Sequence, residues 1–220
     1  MHDFKHISQA VFLVGRVGPG GVNLLGTVFL LDRPGHFATA AHVVGGDGNN
    51  LVLVTRRTIL TEISAYQDAT DAEVATLPLA LAEVDPFHDL AILKADIDYM
   101  SSVRIAGSDA AAVGTPIVSF GFPHADHGRM VLTSQDAEVG ARVLIPSGPI
   151  KGKYLVLNTL ARPGQSGSPV FRKDDGQLVA VLVGAYAPTQ PIRAIVGGID
   201  PSALHQTTHA VSAEYLLGMY

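Results

Sequence analysis

Short apolar runs recur along the whole chain, and most of them are four to six residues long. Valine, isoleucine, leucine and phenylalanine dominate these runs, and Gly, Pro, Asp or Asn usually follows closely. This pattern is typical of β-strands joined by tight turns, and no long segment keeps the helical period of about 3.6 residues. The sequence therefore predicts an all-β fold, with strands at 10–14, 26–31, 51–55, 90–93, 117–120, 130–132, 154–157, 170–171, 178–183 and 194–196.

Three segments depart from this rhythm. Residues 71–81 are rich in alanine and are predicted to be helical, although Pro78 limits the length of such a helix. The tail at 212–219 is predicted to form a short C-terminal helix with Ser212 as its N-cap. A single helical turn is predicted to open at 40–42, directly after a strand.

The composition excludes several classes of function. The chain has 220 residues, enough to bury a sizeable core, and its net charge of −5 provides no basic surface for nucleic acid. The absence of cysteine excludes disulfide bonds, a thiolate nucleophile and cysteine-ligated metals. No apolar run reaches the roughly 18 residues of a membrane span. The start of the chain lacks the regions of a signal peptide, so we expect a cytoplasmic protein if the chain is complete.

Three short stretches supply a histidine, an aspartate and a serine in that order. They are 39–44 (T-A-A-H-V-V), 89–93 (D-L-A-I-L) and 164–169 (G-Q-S-G-S-P), and they contain His42, Asp89 and Ser166. A serine hydroxyl attacks a carbonyl only when an imidazole takes its proton, and that imidazole needs a carboxylate to hold its tautomer. The same order occurs in chymotrypsin-type proteases. The sequence therefore predicts a serine hydrolase.

The serine lies in a glycine-rich turn that favours an oxyanion hole. Ser166 stands between Gly164 and Gly167, one residue removed from the first and next to the second. A tight turn of this kind lets backbone N–H groups converge on one point, as stabilisation of an oxyanion requires. We predict the N–H groups of Gly164 and Ser166 as the donors, because Pro163 has no N–H.

Other interpretations remain. Taken singly, the serine is explained by a turn between strands, the histidine by a core position and the aspartate by a turn before a strand. An α/β-hydrolase would use the order Ser166, Asp200, His209, but βα alternation is missing and Ser168 replaces the last glycine of G-x-S-x-G. A catalytically silent binding protein on a protease fold is the main alternative, and the intact set of three residues argues against it.

On these motifs the chain resembles the trypsin-like serine peptidases, especially their bacterial branches. The T-A-A-H block that ends at His42 is similar to the family's block, and the run from Asp89 resembles D-L-A-[IVL]-[IL] of HtrA-type proteases. The block around Ser166 is similar to G-N-S-G-S-P-V of glutamyl endopeptidases. The resemblance extends over about residues 8–217.

The resemblance implies two antiparallel six-stranded β-barrels with a cleft between them. The N-terminal barrel would occupy about 1–115, and the C-terminal barrel with its tail helix about 116–220. In the family's roles, His42 is the general base, Asp89 orients it, Ser166 is the nucleophile and Gly164 and Ser166 supply the oxyanion hole. We expect neither the PDZ domain nor the N-terminal trimer-forming extension of HtrA proteases in this chain. Proline at the start of the oxyanion loop departs from the usual family pattern.

We predict an apolar S1 pocket that takes a small or medium aliphatic side chain. Glutamyl endopeptidases place a histidine where this chain has Leu182, and no carboxylate for a basic substrate precedes the oxyanion loop. If His209 points inward, it restores a preference for glutamate. By position, the predicted lining residues are Leu160, Ala161, Leu182, Val183, Gly184, Ala185 and His209.

No metal or cofactor is expected. His124 and His127 lie three residues apart with Asp126 between them, but no further cluster of ligands accompanies them, and a solvated loop explains them better. The expected partner is a protein or peptide substrate, with no nucleic acid and no membrane span. The sequence assigns no oligomeric state.

Overall fold

The computed structural model describes residues 2–57, 60–186 and 207–219. These residues contain fourteen strands, one α-helical turn and four short 3₁₀ helices. None of the described helices is long and apolar enough to cross a membrane. The predicted strand at 194–196 lies outside the described residues. The strands are β1 (Val11–Gly18), β2 (Gly21–Leu30), β3 (His36–Ala40), β4 (Leu51–Arg56), β5 (Val74–Pro78), β6 (Ala80–Asp85), β7 (Leu90–Lys94), β8 (Arg104–Ile105), β9 (Pro116–Gly121), β10 (Thr133–Ser147), β11 (Ile150–Leu157), β12 (Pro169–Arg172), β13 (Gln177–Tyr186) and β14 (Thr207–Ser212); the helical turn is α1 (Ala41–Val44), and the 3₁₀ helices are Ile7–Gln9, Ser108–Ala110, Ala125–His127 and Ala213–Gly218.

The first barrel has the strand order β5-β4-β1-β2-β3-β7-β6. Only Leu79 separates β5 from β6, and β5 pairs with β4 while β6 pairs with β7. The two strands therefore act as one bent strand that closes a ring of six. The prediction of a helix at 71–81 is wrong, because pairing with strands on both sides outweighs the helix propensity of the alanines.

The second barrel has the order β12-β9-β10-β11-β14-β13, and a further pairing of β12 with β13 closes the ring of six. All pairs in this ring are antiparallel, and β8 adds a short parallel strand to β13. The predicted all-β fold with two six-stranded antiparallel barrels is confirmed. β8 (Arg104–Ile105) belongs to this sheet although it precedes residue 116, where the second barrel was expected to begin. The antiparallel rings exclude the α/β-hydrolase fold, and Asp200 lies outside the described residues.

The barrels pack against each other through strands that are apolar on both faces. Val14 of β1 lies inside the first barrel. Its neighbours Val11 and Leu13 point the other way and share one buried cluster with Phe120 and Phe171 of the second barrel. Because successive strand residues point to opposite faces, a strand in this position reads as an unbroken apolar run. This contact fixes the relative position of the parts of the site that each barrel carries.

The predicted C-terminal helix is the 3₁₀ helix Ala213–Gly218. Ser212 precedes it, but its side chain makes no capping hydrogen bond. Its hydroxyl accepts the N–H of Ser108 (2.8 Å) and donates to the Glu214 carboxylate (3.1 Å). Ser212 therefore occupies the predicted N-cap position without capping the helix through its side chain, because its hydroxyl ties the tail to the turn that follows β8.

Candidate active site

His42 and Asp89 meet at one edge of the first barrel. β3 and β7 are antiparallel with Ala40 opposite Leu90, so the residue after β3 lies beside the residue before β7. The chain enters α1 directly after β3, as the sequence predicts, and the N–H of Ala41 donates to the Asp89 carbonyl (2.9 Å). This local path brings the imidazole to the carboxylate.

The Asp89 carboxylate makes two hydrogen bonds with His42. One oxygen lies 2.6 Å from Nδ1 of the imidazole, and the other accepts the backbone N–H of His42 at 2.8 Å. The first bond places the proton of the neutral ring on Nδ1 and leaves Nε2 as the basic nitrogen. The His42 side chain is 47% exposed, so a substrate can reach it. Asp89 has a φ of +55°, a strained conformation for a non-glycine residue that is often found at functional sites.

A second aspartate–histidine pair supports the turn before Asp89. His88 is buried, its Nδ1 lies 2.5 Å from the Asp85 carboxylate, and the other Asp85 oxygen accepts the N–H groups of Phe87 and His88. The His88 ring stacks on Tyr215 of the C-terminal 3₁₀ helix, with centroids 3.5 Å apart. The D-P-F-H spacing is a sequence signal for the turn. Nothing in the sequence signals the stack.

A buried tyrosine of the second barrel faces the same carboxylates. Burial raises the pKa of Tyr154 on β11, and the charge of Asp89, followed by Tyr215 and Asp85, raises it further. The phenol is therefore neutral near neutral pH and adds no charge beside Asp89.

Ser166 is carried by a glycine-rich loop before β12. Gly164 and Gly167 adopt φ values of +88° and +86°, in the region that favours glycine. The N–H of Gly167 donates to the Leu182 carbonyl (2.7 Å), and the N–H of Leu182 donates to the Ser168 carbonyl (2.9 Å). These bonds attach the loop to β13 and set the path of the backbone at the nucleophile.

The segment that carries His42 and the loop that carries Ser166 approach each other beside β2. The N–H of Thr27 donates to the Ser166 carbonyl (3.0 Å), and its hydroxyl donates to the Gly164 carbonyl (2.9 Å). A Cβ at Gly26 would lie 2.9 Å from Val43 in α1 and 3.1 Å from the Ser166 carbonyl oxygen. Glycine at this position therefore allows the helical turn of the base and the loop of the nucleophile to come together. The sequence analysis did not single out Gly26 or Thr27.

The structure does not contain every contact of a complete triad. Within the described residues, the hydroxyl of Ser166 makes no hydrogen bond, so it does not donate to His42. The structure thus brings His42 and Asp89 into direct contact. It brings Ser166 next to β2, where its carbonyl accepts the N–H of Thr27, but makes no hydrogen bond between the side chains of Ser166 and His42. Catalytic hydrogen bonds of this kind are often long without substrate and tighten when it binds.

The predicted oxyanion donors are available. Among the described residues, neither the N–H of Gly164 nor that of Ser166 donates to a protein group. The Pro163 carbonyl accepts the N–H of His124 at 2.6 Å. Because C=O and N–H point in opposite directions across a trans peptide, this bond turns the Gly164 N–H away from His124. His124 thus contacts the oxyanion loop through its backbone, and the described residues contain no cluster of metal ligands around it or His127.

The wall ahead of the loop is tied to the barrel by a threonine. The hydroxyl of Thr208 donates to the Thr159 carbonyl (2.6 Å) and accepts the N–H of Ala161 (2.8 Å). Leu160, between these two residues, has a side chain that is about half exposed. This segment therefore presents apolar groups on a backbone that is held in place.

The strand side of the predicted pocket belongs to β13 and β14. Leu182 is buried in the interior cluster of the second barrel, whereas Val183 is half-buried and packs against clusters shared with the first barrel. Gly184 lies opposite His209 in the β13–β14 pair. Burial lowers the pKa of His209, which favours its neutral form. The side chain of Ala185 lies outside the described part of the structure.

Comparison with protein families agrees with this architecture. The family model of the trypsin-like peptidase domain matches residues 26–181. Two relatives, each named "Probable periplasmic serine endoprotease DegP-like", are 25% identical over 158 residues (Pseudomonas fulva) and 24% identical over 160 residues (Halomonas elongata). Each match covers 71% of this chain and 28% of the relative, so the chain spans under a third of the length of these proteins.

Solved structures show the same fold at low sequence identity. The MamO protease domain from Magnetospirillum magneticum has a TM-score of 0.68 at 18% identity and covers 98% of both chains. The HtrA-type protease AlgW with a tripeptide has a TM-score of 0.66 at 18% identity, over 96% of this chain and 58% of that one. The active form of the Rv3671c protease from M. tuberculosis has a TM-score of 0.65 at 21% identity, over 95% and 78%.

Proposed function

Because the chain belongs to the trypsin-like peptidase family, we propose that it is a serine endopeptidase with Ser166 as nucleophile, His42 as general base and Asp89 as the residue that orients the base. The observation that carries this proposal is the pair of hydrogen bonds between His42 and the Asp89 carboxylate, at 2.6 and 2.8 Å. A carboxylate in this position also stabilises the imidazolium that forms during the reaction. The proposed substrate is a protein or peptide, which is supported by the similar fold of the HtrA-type protease AlgW, solved with a tripeptide and with a decapeptide.

The reaction proceeds in two halves. In the first, Nε2 of His42 takes the proton of the Ser166 hydroxyl while Oγ attacks the scissile carbonyl carbon. The imidazolium then gives that proton to the leaving amine, the C–N bond breaks and an acyl-enzyme remains. In the second, His42 takes a proton from water, the hydroxide attacks the acyl carbon, and the proton returns to Ser166 as the new carboxyl group leaves. Asp89 stays ionised throughout.

The negative charge that develops on the substrate oxygen is stabilised by the N–H groups of Gly164 and Ser166. Both donors belong to the loop that Thr27 and β13 hold in place. Donors that are fixed before the reaction need no reorganisation in the transition state, and removal of one such donor typically costs about 10²- to 10³-fold in kcat. Neither N–H group donates to another described protein group, which supports this role.

The proposed S1 preference is for a small or medium aliphatic side chain. Leu160 and Val183 supply apolar surface, and Leu182 stands where glutamyl endopeptidases carry a histidine. The neutral form of His209, favoured by burial through its lowered pKa, provides no positive charge for an acidic substrate. A peptide library should show cleavage after Ala, Val, Leu or Ile, with broad selectivity, since one methylene changes binding by only about 1–3 kcal/mol. Dominant cleavage after Lys, Arg or Glu would contradict an apolar pocket.

A fluorophosphonate probe tests the proposal directly, because it modifies only an activated serine. The wild-type chain should be labelled at Ser166, and Ser166→Ala should not be labelled. Ser168→Ala is a matched control: Ser168 lies two residues away, and its buried hydroxyl has no hydrogen-bond partner in the described structure. Ser168→Ala should keep the label, and mass spectrometry of the labelled peptide locates it.

The same experiment separates the enzyme from the silent binding protein. An active protease is labelled and hydrolyses casein. A folded wild-type chain that takes no label and leaves casein intact would overturn the proposal and favour the binding protein.

A further inference from the structure

The residue before the nucleophile uses both ends of its side-chain amide. Gln165 is almost fully buried, with 2% of its surface exposed. Its Oε1 accepts the N–H of Arg162 (2.7 Å), and its Nε2 donates to Oε1 of Gln135 (2.9 Å). The first bond closes the loop that leads to Ser166. The second joins this loop to β10, which is separated from β12 by β9 in the second barrel.

Gln135 continues the connection to the wall of the cleft. Its Nε2 donates to the Leu160 carbonyl (3.0 Å) and also contacts the Thr159 hydroxyl. Gln135 therefore holds two segments at once: residues 159–160, which precede the oxyanion loop, and Gln165 inside that loop. The side chain is half-buried on β10 opposite Ser119 of β9, so its own backbone is anchored in the barrel.

The hydrogen bonds run from the N–H of Arg162 through the amides of Gln165 and Gln135 to the Leu160 carbonyl. The two backbone groups at the ends of this series determine how both amides are oriented. The N–H of Arg162 can only donate, so Oε1 of Gln165 must face it and Nε2 must face Gln135. The Leu160 carbonyl can only accept, so Nε2 of Gln135 must face it and Oε1 must face Gln165. The two assignments agree with each other. A residue at 135 therefore has to donate and accept at the same time, which an amide does.

We propose that Gln135 is a positioning residue for the oxyanion hole. Gln165 stands between the two donor groups, the N–H of Gly164 and the N–H of Ser166. The Ser166 N–H belongs to the peptide between Gln165 and Ser166, so rotation of this donor away from the substrate oxygen moves the backbone of Gln165, whose side chain Gln135 holds. Backbone bonds hold the carbonyls of the loop: the Thr27 hydroxyl and the N–H of His124 bond those of Gly164 and Pro163, and the N–H groups of Ser168 and Thr27 bond those of Gln165 and Ser166. The Gln135–Gln165 bond adds the restraint on the side chain next to the nucleophile. The inference rests on the proposed peptidase activity, because it concerns how the hole is kept in place.

The test compares three variants on the same strand. Gln135→Met keeps the length of the side chain and removes both hydrogen-bonding groups. Gln135→Glu keeps an acceptor for Gln165 and removes the donor to Leu160. Ser134→Ala is the control, because Ser134 is exposed and its hydroxyl makes no hydrogen bond in the described structure.

We expect Gln135→Met to lower kcat about 10- to 100-fold, as small misplacements of catalytic groups do, with KM within about twofold of wild type. Its affinity for a peptide aldehyde, which forms a hemiacetal oxyanion on the serine, should fall by a similar factor. Gln135→Glu should lie between wild type and Gln135→Met, and Ser134→Ala should match wild type. Thermal unfolding of each variant checks the fold.

A Gln135→Met variant that folds and keeps wild-type kcat and aldehyde affinity overturns the inference. If that variant does not fold, wild-type values for Gln135→Glu overturn it. A wild-type chain that is neither labelled by fluorophosphonate nor active rejects the proposed function itself. That result differs from an active wild type with an insensitive position 135, which rejects only the role of Gln135.

Discussion

The two halves of the candidate site are held in different ways. In the first barrel, the functional side chains contact each other directly, since the Asp89 carboxylate bonds both the ring and the backbone of His42. In the second barrel, the Ser166 hydroxyl bonds no described group. There, glycines with positive φ and bonds to neighbouring backbone set the position of the loop.

The two parts of the site therefore depend on different properties of the chain, the first on functional side chains and the second on the backbone conformation of the loop. In the half that carries the base, the geometry depends on which functional side chains are present. In the half that carries the nucleophile, it depends on residues that take no part in the reaction. Substitutions of the first kind should change the chemistry and spare the fold, and substitutions in the loop should change rate and stability together.

The largest effect is expected from removing either end of the proton transfer. Ser166→Ala and His42→Ala should each lower kcat by about 10⁶-fold, and the double variant should fall no further, because the residues act as a unit. Hydrolysis of a fluorogenic peptide measures the rates, and thermal unfolding checks that the variants are folded. Losses that multiply in the double variant would show that the two residues act independently.

Asp89→Asn should lower kcat by about 10⁴-fold with little change in stability. The backbone N–H of His42 can only donate, so the amide oxygen of the asparagine has to face it and the NH₂ group has to face Nδ1. This forces the ring proton onto Nε2, which then cannot accept the serine proton. Asp98→Asn, an exposed aspartate of the same region, is the control and should keep full activity. Full activity of Asp89→Asn would remove the assigned role of the carboxylate.

Gly164→Ala tests the loop of the other half, with Gly114→Ala as its control. Both glycines have positive φ (+88° and +83°), so each alanine should destabilise the fold by about 1–2 kcal/mol. A Cβ at Gly164 would also lie 2.7 Å from the backbone N of Ala125, whereas a Cβ at Gly114 meets nothing within 4 Å. Only Gly164→Ala should lower kcat, by about 10²- to 10³-fold. Equal activity of the two variants would argue against a role of the Gly164 peptide.

The smallest effect concerns pH and stability in the second barrel. Burial lowers the pKa of His209 in the folded chain. As the pH falls below the unfolded value of about 6.5, the unfolded chain binds a proton that the folded chain does not, so the free energy of unfolding decreases. Above that pH both states are neutral and the residue has no effect. Urea unfolding between about pH 8 and pH 5 should show a steeper loss for wild type than for His209→Gln. Equal slopes would contradict this assignment.

Sequence patterns of a few residues predicted most of the strands and turns of this molecule. Short apolar runs closed by turn residues identify strands, because a strand and its turn are set by neighbouring residues. The same reasoning failed at 71–81, where the alanines favour a helix but Val74–Pro78 and Ala80–Asp85 pair with strands from elsewhere in the chain. It also missed the main contact of Ser212, whose hydroxyl accepts the N–H of Ser108, 104 residues away, and makes no capping hydrogen bond to the helix that follows.

The sequence by itself determined the chemical groups of the candidate site, their order and the glycines that shape the loop around Ser166. Those properties depend on residue type and on short spacings. Only the tertiary structure decided that the Asp89 carboxylate reaches His42 across 47 residues, and that Thr27 supports Gly164 across 137. It likewise decided that Gln135 meets Gln165 across 30. Contacts at such separations depend on strand register and on how the barrels pack, and no local pattern encodes either.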